Sequence, residues 1–147
     1  MPETPTGPKS AAGLTTMANQ AAATSVTFDD EADFQRAQQG LIATLPEGRV
    51  LVDDQVVWDC AHYDFLRNKH ESPDTVHPGL WRQGRLNAIH GLFEVMEGVW
   101  QVRGYDISNL TLIEGKSGWI LVDVLTTAAT AQACLELANK HLGSRPV

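Results

Sequence analysis

From Gly91 to Gly143 the spacing of apolar residues changes from a period of 2 to a period of 3.6. Gly91-Leu-Phe-Glu-Val-Met-Glu-Gly98 reads as a short apolar strand closed by a glycine turn, and Val99-Trp-Gln-Val-Arg103 alternates as a half-buried strand does. Asn109-Leu-Thr-Leu-Ile-Glu114 is a further alternating run, and Gly115-Lys-Ser-Gly118 is a hairpin turn. Trp119-Ile-Leu-Val-Asp123 is continuously apolar up to its carboxylate, which predicts an interior strand covered on both faces. Beyond it Ala131, Cys134, Leu135, Ala138 and Leu142 fall on one helical stripe. Thr126 or Thr127 is placed to cap that helix, Lys140 and His141 suit its last turn, and Gly143 suits its C-cap.

Upstream the pattern is weaker. Residues 1–27 are rich in Ala, Thr, Pro and Gly and predict a disordered tail, because so little apolar surface cannot offset the entropy of ordering. Asp30 can cap a helix whose Phe34, Ala37 and Leu41 share a face, ending near Ala43 before Pro46. The stretch 49–58 predicts a hairpin turning across Asp53-Asp54-Gln55. Asp59 can cap a short helix carrying Tyr63, Phe65 and Leu66; a loop follows over 68–74. Pro78 opens a further helix with Leu80, Trp81 and Leu86 as its apolar positions. Residues 28–90 thus predict small pieces wrapping a larger body formed by residues 91–147.

Composition narrows the function classes. The chain has 147 residues, 43% hydrophobic, which suits at most one ordinary domain. A net charge of −7 without a basic cluster argues against nucleic acid or an anionic membrane surface as partner, leaving Arg82 and Arg85 as scattered solvated charges. No apolar run approaches the roughly 18 residues of a membrane span, and the N-terminus has no secretory apolar core, so a cytoplasmic location is expected. Cys134 lies on the helical stripe as a buried thiol, and Cys60 and Cys134 leave room for a single disulfide but no disulfide framework.

Candidate chemistry is sparse. His62, His70, His77 and His90 form no His-x-His or i, i+4 pair, so structural or surface roles are expected, and His141 is a helix-end cation. No serine-nucleophile or phosphate-loop motif occurs. Trp58, Trp81, Trp100 and Trp119 could line an apolar site, although Trp100 and Trp119 fit sheet core better. Asp123 is the notable carboxylate: at a strand end it either faces an active site or caps the following loop through Thr126 or Thr127.

The run 73–83 (Pro-Asp-Thr-Val-His-Pro-Gly-Leu-Trp-Arg-Gln), then Leu86 to Val95, Gly98 to Ile113 and Gly118 to Asp123, resembles the N-terminal part of the zinc-dependent alkyl sulfatases. The resemblance covers about residues 28–147. It implies an α/β fold of the αββα metallo-β-lactamase type, present in part: antiparallel strands, then a helix, ending before the strand that carries the His-x-His-x-Asp-His metal motif. It implies hydrolysis of alkyl sulfate esters such as dodecyl sulfate to alcohol and sulfate by zinc-activated water, with two zinc ions in the whole protein and none expected on this chain. Asp123 matches a structural residue behind the metal site, while Val124 stands where the family usually has Pro. No catalytic or metal ligand has a counterpart among these residues, so the chain alone is expected to be inactive. The family is expected to be homodimeric through a helical segment without a counterpart here. Arg145-Pro-Val147 looks like the start of the metal-motif strand, which leaves a sheet edge and an apolar face uncovered. Two other readings are a non-catalytic interaction module and a small binding protein built around Trp81, Trp100 and Trp119.

Overall fold

The computed structural model describes residues 9–25, 27, 30–67 and 71–147. Five strands form one antiparallel sheet in the order β1 (Leu41–Ala43), β4 (Gly91–Met96), β5 (Val99–Arg103), β6 (Leu110–Glu114) and β7 (Trp119–Val122). Between the first two in sequence lies a separate hairpin, β2 (Arg49–Val52) and β3 (Gln55–Asp59). Register follows the period-2 pattern. Leu92 faces Val102, which faces Leu110, and Trp100 faces Leu112, which faces Leu121, so the middle of one face of the sheet is apolar, with Glu94 and Glu114 at its margins.

That face is closed by helix α5 (Ala128–Leu142), which sets Cys134, Leu137 and Ala138 against it, and by Val50 of the hairpin. Leu92, Leu110 and Leu112 are fully buried, each contributing about 1.5–3 kcal/mol relative to exposure. Trp100 and Trp119 meet edge-on at 5.6 Å within this layer, as core aromatics do. The α5 stripe shifts slightly from expectation, with Leu137 buried and Ala131 and Leu135 half-buried. Thr127 caps the helix by accepting from the Thr130 N–H at 3.1 Å, and Gly143 ends it at φ 97°.

Several expectations need correction. β7 is an edge strand, not an interior one; Ile120 and Val122, on the face away from α5, are 55% and 51% exposed. Its outer side meets the residues after α5, where the Trp119 N–H donates to the Pro146 carbonyl at 2.7 Å. Pro146 therefore lies against the first residue of β7. Secondly, the helix opened near Asp30 stops early. Asp30 accepts from the Ala32 N–H, α2 spans Ala32–Gln38, and Gly40 at φ 75° turns the chain so that Leu41–Ala43 pairs with β4. Only glycine fits there, because a Cβ on Gly40 would strike the Glu94 carbonyl.

Thirdly, Gly13–Ser25, within the expected tail, forms helix α1, whose alanines favour helix although none of its residues is buried. The rest of that expectation, residues 1–8 and 26, lies outside the described residues. Fourthly, Arg82 and Arg85 are not scattered charges. Arg82 reaches Asp33 at 3.0 Å and the Asp30 carbonyl at 2.7 Å, and Arg85 stacks 4.7 Å from the Phe34 ring, which ties α2 to helix α4 (Pro78–Asn87).

The hairpin turns on two residues, Asp53 and Asp54, both at positive φ as a primed turn requires. Asp59 caps the next turn, Cys60–Tyr63, through the Ala61 N–H, and α3 (Asp64–Arg67) follows. In α4 Trp81 is buried against Phe65, whereas Leu80, expected on the apolar face, is 66% exposed. No helix among the described residues is long and apolar enough to cross a membrane.

Candidate functional site

The loops at one end of the sheet concentrate the polar chemistry. One loop, residues 104–109, leaves β5 and enters β6; the other, residues 123–127, leaves β7 and enters α5. Asp106 joins them. The residue is 7% exposed, and its carboxylate accepts four hydrogen bonds, from Ile107 N–H at 2.6 Å, Thr126 N–H at 3.0 Å, Thr126 Oγ1 at 2.7 Å and Thr130 Oγ1 at 2.5 Å. With the Thr130 proton committed to Asp106, the Thr127 hydroxyl is left to donate to Thr130 Oγ1 at 2.9 Å. Burial pushes Asp106 up, but these donors outweigh it and hold the carboxyl below its ordinary value.

Asp123, the carboxylate singled out from sequence, sits in the second loop at φ 56°, exposed, accepting from Ser108 Oγ at 3.2 Å. Neither Thr126 nor Thr127 bonds to it; Thr126 serves Asp106, and Thr127 serves the helix end. Ser108 thus makes a second tie between the same two loops.

Gly104, at φ 84° against the His90 Cβ, begins the first loop, and its carbonyl accepts from Trp58 Nε1 at 2.8 Å and from the Cys60 thiol at 3.4 Å. Next, the Tyr105 hydroxyl accepts from the Leu45 N–H at 2.8 Å, which leaves its proton for His90 Nδ1 at 3.0 Å. Desolvation lowers the His90 pKa, so the imidazole is neutral, and burial raises the Tyr105 hydroxyl. It likewise raises the Cys60 thiol and pushes Cys134 up to about 12. Both cysteines are free, buried and poorly nucleophilic.

The other histidines take structural positions. His77 caps α4 by accepting from the Gly79 N–H at 3.1 Å, and His62 and His141 are exposed, His141 in the last turn of α5. His70 lies outside the described residues. Among the described residues no three His, Cys, Asp or Glu side chains gather in a way that could hold a metal ion. Trp81 pairs with Phe65 while Trp100 pairs with Trp119, which gives no support to one ligand site shared by the three. Sequence reading passed over Asp106 and Tyr105. Their signal was available: a polar pair between two strongly apolar strands, with Thr126 and Thr130 spaced to meet one carboxylate across an α5 turn.

No family model matches the chain. It is 45% identical over 139 residues to an (R)-specific secondary-alkylsulfatase of Pseudomonas sp, an alignment covering 95% of this chain and 21% of that protein. The chain is similar to alkylsulfatases. A linear primary-alkylsulfatase of Pseudomonas sp is 42% identical over 140 residues (95% of this chain), and an alkyl/aryl-sulfatase of Saccharomyces cerevisiae 46% over 135 residues (90%), each alignment covering 21% of the relative. Among solved structures, the stereoselective inverting sec-alkylsulfatase Pisa1 of Pseudomonas sp superposes with a TM-score of 0.84 at 46% identity, over 95% of this chain and 22% of that one. The chain thus spans about a fifth of the length of the alkylsulfatases it matches.

Proposed function

We propose that this chain is the N-terminal part of an alkyl sulfatase of the metallo-β-lactamase type, hydrolysing alkyl sulfate esters such as dodecyl sulfate to alcohol and inorganic sulfate. The observation that carries this reading is the 45% identity sustained over 139 residues, together with the close superposition on a sec-alkylsulfatase. Sequence and backbone each agree over 95% of the chain, which favours the hydrolase over an interaction module.

In this reading the residues described above are scaffold. The sheet and α5 form the first part of the αββα layers, and the loops held by Asp106 and Asp123 lie at the reacting end, with Asp123 structural behind the metal site. Zinc, when bound in the whole protein, supplies an activated water. The described residues do not fit the role of its ligands, since none of them cluster as a metal site. The ligands for both ions belong to residues outside this chain's span, and so does the helical segment that makes the homodimer. A cytoplasmic location completes the reading.

The test is sulfate release from dodecyl sulfate, with and without a zinc chelator. Comparing this chain with a protein that continues it into the metal-motif strand isolates the missing ligands. Zinc-dependent release by the longer protein alone is the expected result. Release by the 147-residue chain itself would defeat the scaffold assignment, and absence from both would defeat the sulfatase reading.

A further inference from the structure

Arg103 ends β5 on the sheet face away from α5, with its side chain half-buried and fixed in place. Its guanidinium carbon stands 4.5 Å from the Phe93 ring centroid, and its Nε donates to Gln101 Oε1 at 2.8 Å. Gln101 is held in turn, donating to Thr111 Oγ1 at 3.2 Å. The two Nη groups, the fork that grips a carboxylate with parallel bonds, meet no acceptor among the described residues.

Two carboxylates line the same cavity as Arg103, and both are engaged elsewhere. Asp33 is held by Arg36 at 3.3 Å and Arg82 at 3.0 Å, and Asp106 by its four donors. Burial lowers the Arg103 pKa, and no carboxylate among the described residues offsets it. A partly desolvated cation without a counter-charge is unfavourable, so a fork held open in this way calls for an anion.

The cavity holds about 480 Å³ between α2, α4 and the 104–109 loop, within the range of small-molecule sites. Ala37, Leu86 and Ile89 give it apolar contact, while Gln83, Asn87 and Asn109 bring amides to it. Gln83 donates to Asn87 Oδ1 at 3.0 Å, which leaves the Asn87 N–H groups to donate. The Asn109 amide is exposed and uncommitted among the described residues. Amides both donate and accept, as hydroxyl groups require, whereas a bare hydrocarbon chain would leave them unpaired.

We propose that this cavity binds a small hydroxylated carboxylate, a hydroxy acid or sugar acid. The carboxylate sits bidentate on the Arg103 fork, already oriented by Phe93 and Gln101, and the hydroxyls bond to the Asn87 and Asn109 amides. The inference goes beyond the sulfatase reading and does not rest on it.

The experiment titrates the purified chain calorimetrically with gluconate and with lactate at constant ionic strength. Acetate, neutral sorbitol and inorganic sulfate are run in parallel. Saturable binding of a hydroxy acid is expected, tighter than acetate or sulfate, with none for sorbitol. Arg103→Lys keeps the charge and the stem but loses the fork, and should weaken binding about tenfold. Asn109→Ala, at an exposed position that leaves folding intact, should weaken gluconate about threefold and acetate not at all. Lys116→Gln, in the remote 115–118 turn, is the control and should bind as the parent does. The proposal is overturned by the absence of saturable binding, by acetate, sorbitol or sulfate binding as tightly as gluconate, or by Arg103→Lys matching Lys116→Gln. Each of these outcomes leaves the sulfatase reading standing, since that reading is tested by zinc-dependent sulfate release.

Discussion

Two carboxylates sit in the loops that leave β5 and β7 at one end of the sheet and meet opposite fates. Asp106 follows β5, which has neighbours on both sides, and is buried with four donors; Asp123 follows β7, at the sheet margin, and is exposed with one. A local apolar run says only that a strand can be buried. Its place in the sheet order decides whether the residue at its end is enclosed, and that order is set by pairings distant in sequence. In a central loop a carboxylate must be fully satisfied, and once satisfied it becomes the structural tie.

The comparison breaks first at Asp106. Asp106→Ala leaves the Thr126 and Thr130 donors without their acceptor, and should cost about 3–5 kcal/mol. Thermal denaturation would show a Tm drop of at least about 6 °C. Asp123→Ala removes one exposed bond and should change stability by less than about 0.5 kcal/mol. Equal losses would mean that burial does not separate the two loops.

Next in size is Tyr105, whose hydroxyl links the Leu45 backbone to His90. Tyr105→Phe keeps the ring packing but orphans the Leu45 N–H, a loss of about 1–3 kcal/mol by denaturant titration. Thr127→Ala removes the α5 cap and should cost about 1 kcal/mol.

Acid should sharpen the contrast. Asp106 is depressed in the folded protein, so its stabilisation is complete above the ordinary carboxylate pKa of about 3.9 and is lost as pH falls through the lower folded value. His90 is also depressed, chiefly by desolvation, so the unfolded chain takes up its proton first. Its contribution is complete above about 6.5 and declines as pH falls from there toward the folded value. Stability measured against pH should therefore show two limbs. His90→Gln flattens the one just below about 6.5, and Asp106→Asn the one below about 4.

How legible this was follows from the type of signal. The β4–β7 strands and α5 were readable because period and capping are local: Thr127, Gly143 and the 115–118 turn all act within a few residues. The hairpin at Asp53–Asp54 was readable for the same reason. The edge position of β7, the β1 strand beyond Gly40, and the pairing of Arg82 with Asp33 were not, since each depends on a partner tens of residues away. At the candidate site Asp123 stood out because it ended an apolar run, and Asp106 did not because its partners Thr126 and Thr130 lie across the next two strands.

The smallest expected effect is the most informative about Asp123. At φ 56° a non-glycine residue carries a conformational cost, and Asp tolerates it better than most residues. Asp123→Gly relieves that cost and gives up the Ser108 bond, so the two should nearly cancel, leaving stability within about 0.5 kcal/mol. A strained residue kept where glycine would serve as well points to a use for its side chain. If a longer protein that continues this chain and carries Asp123→Gly melts as its parent does but falls short in the sulfate-release test proposed above, the carboxylate has a role beyond holding its loop. If rate and melt are both unchanged, Asp123 is only the residue at the end of an edge strand, and Asp106 alone holds the two loops together.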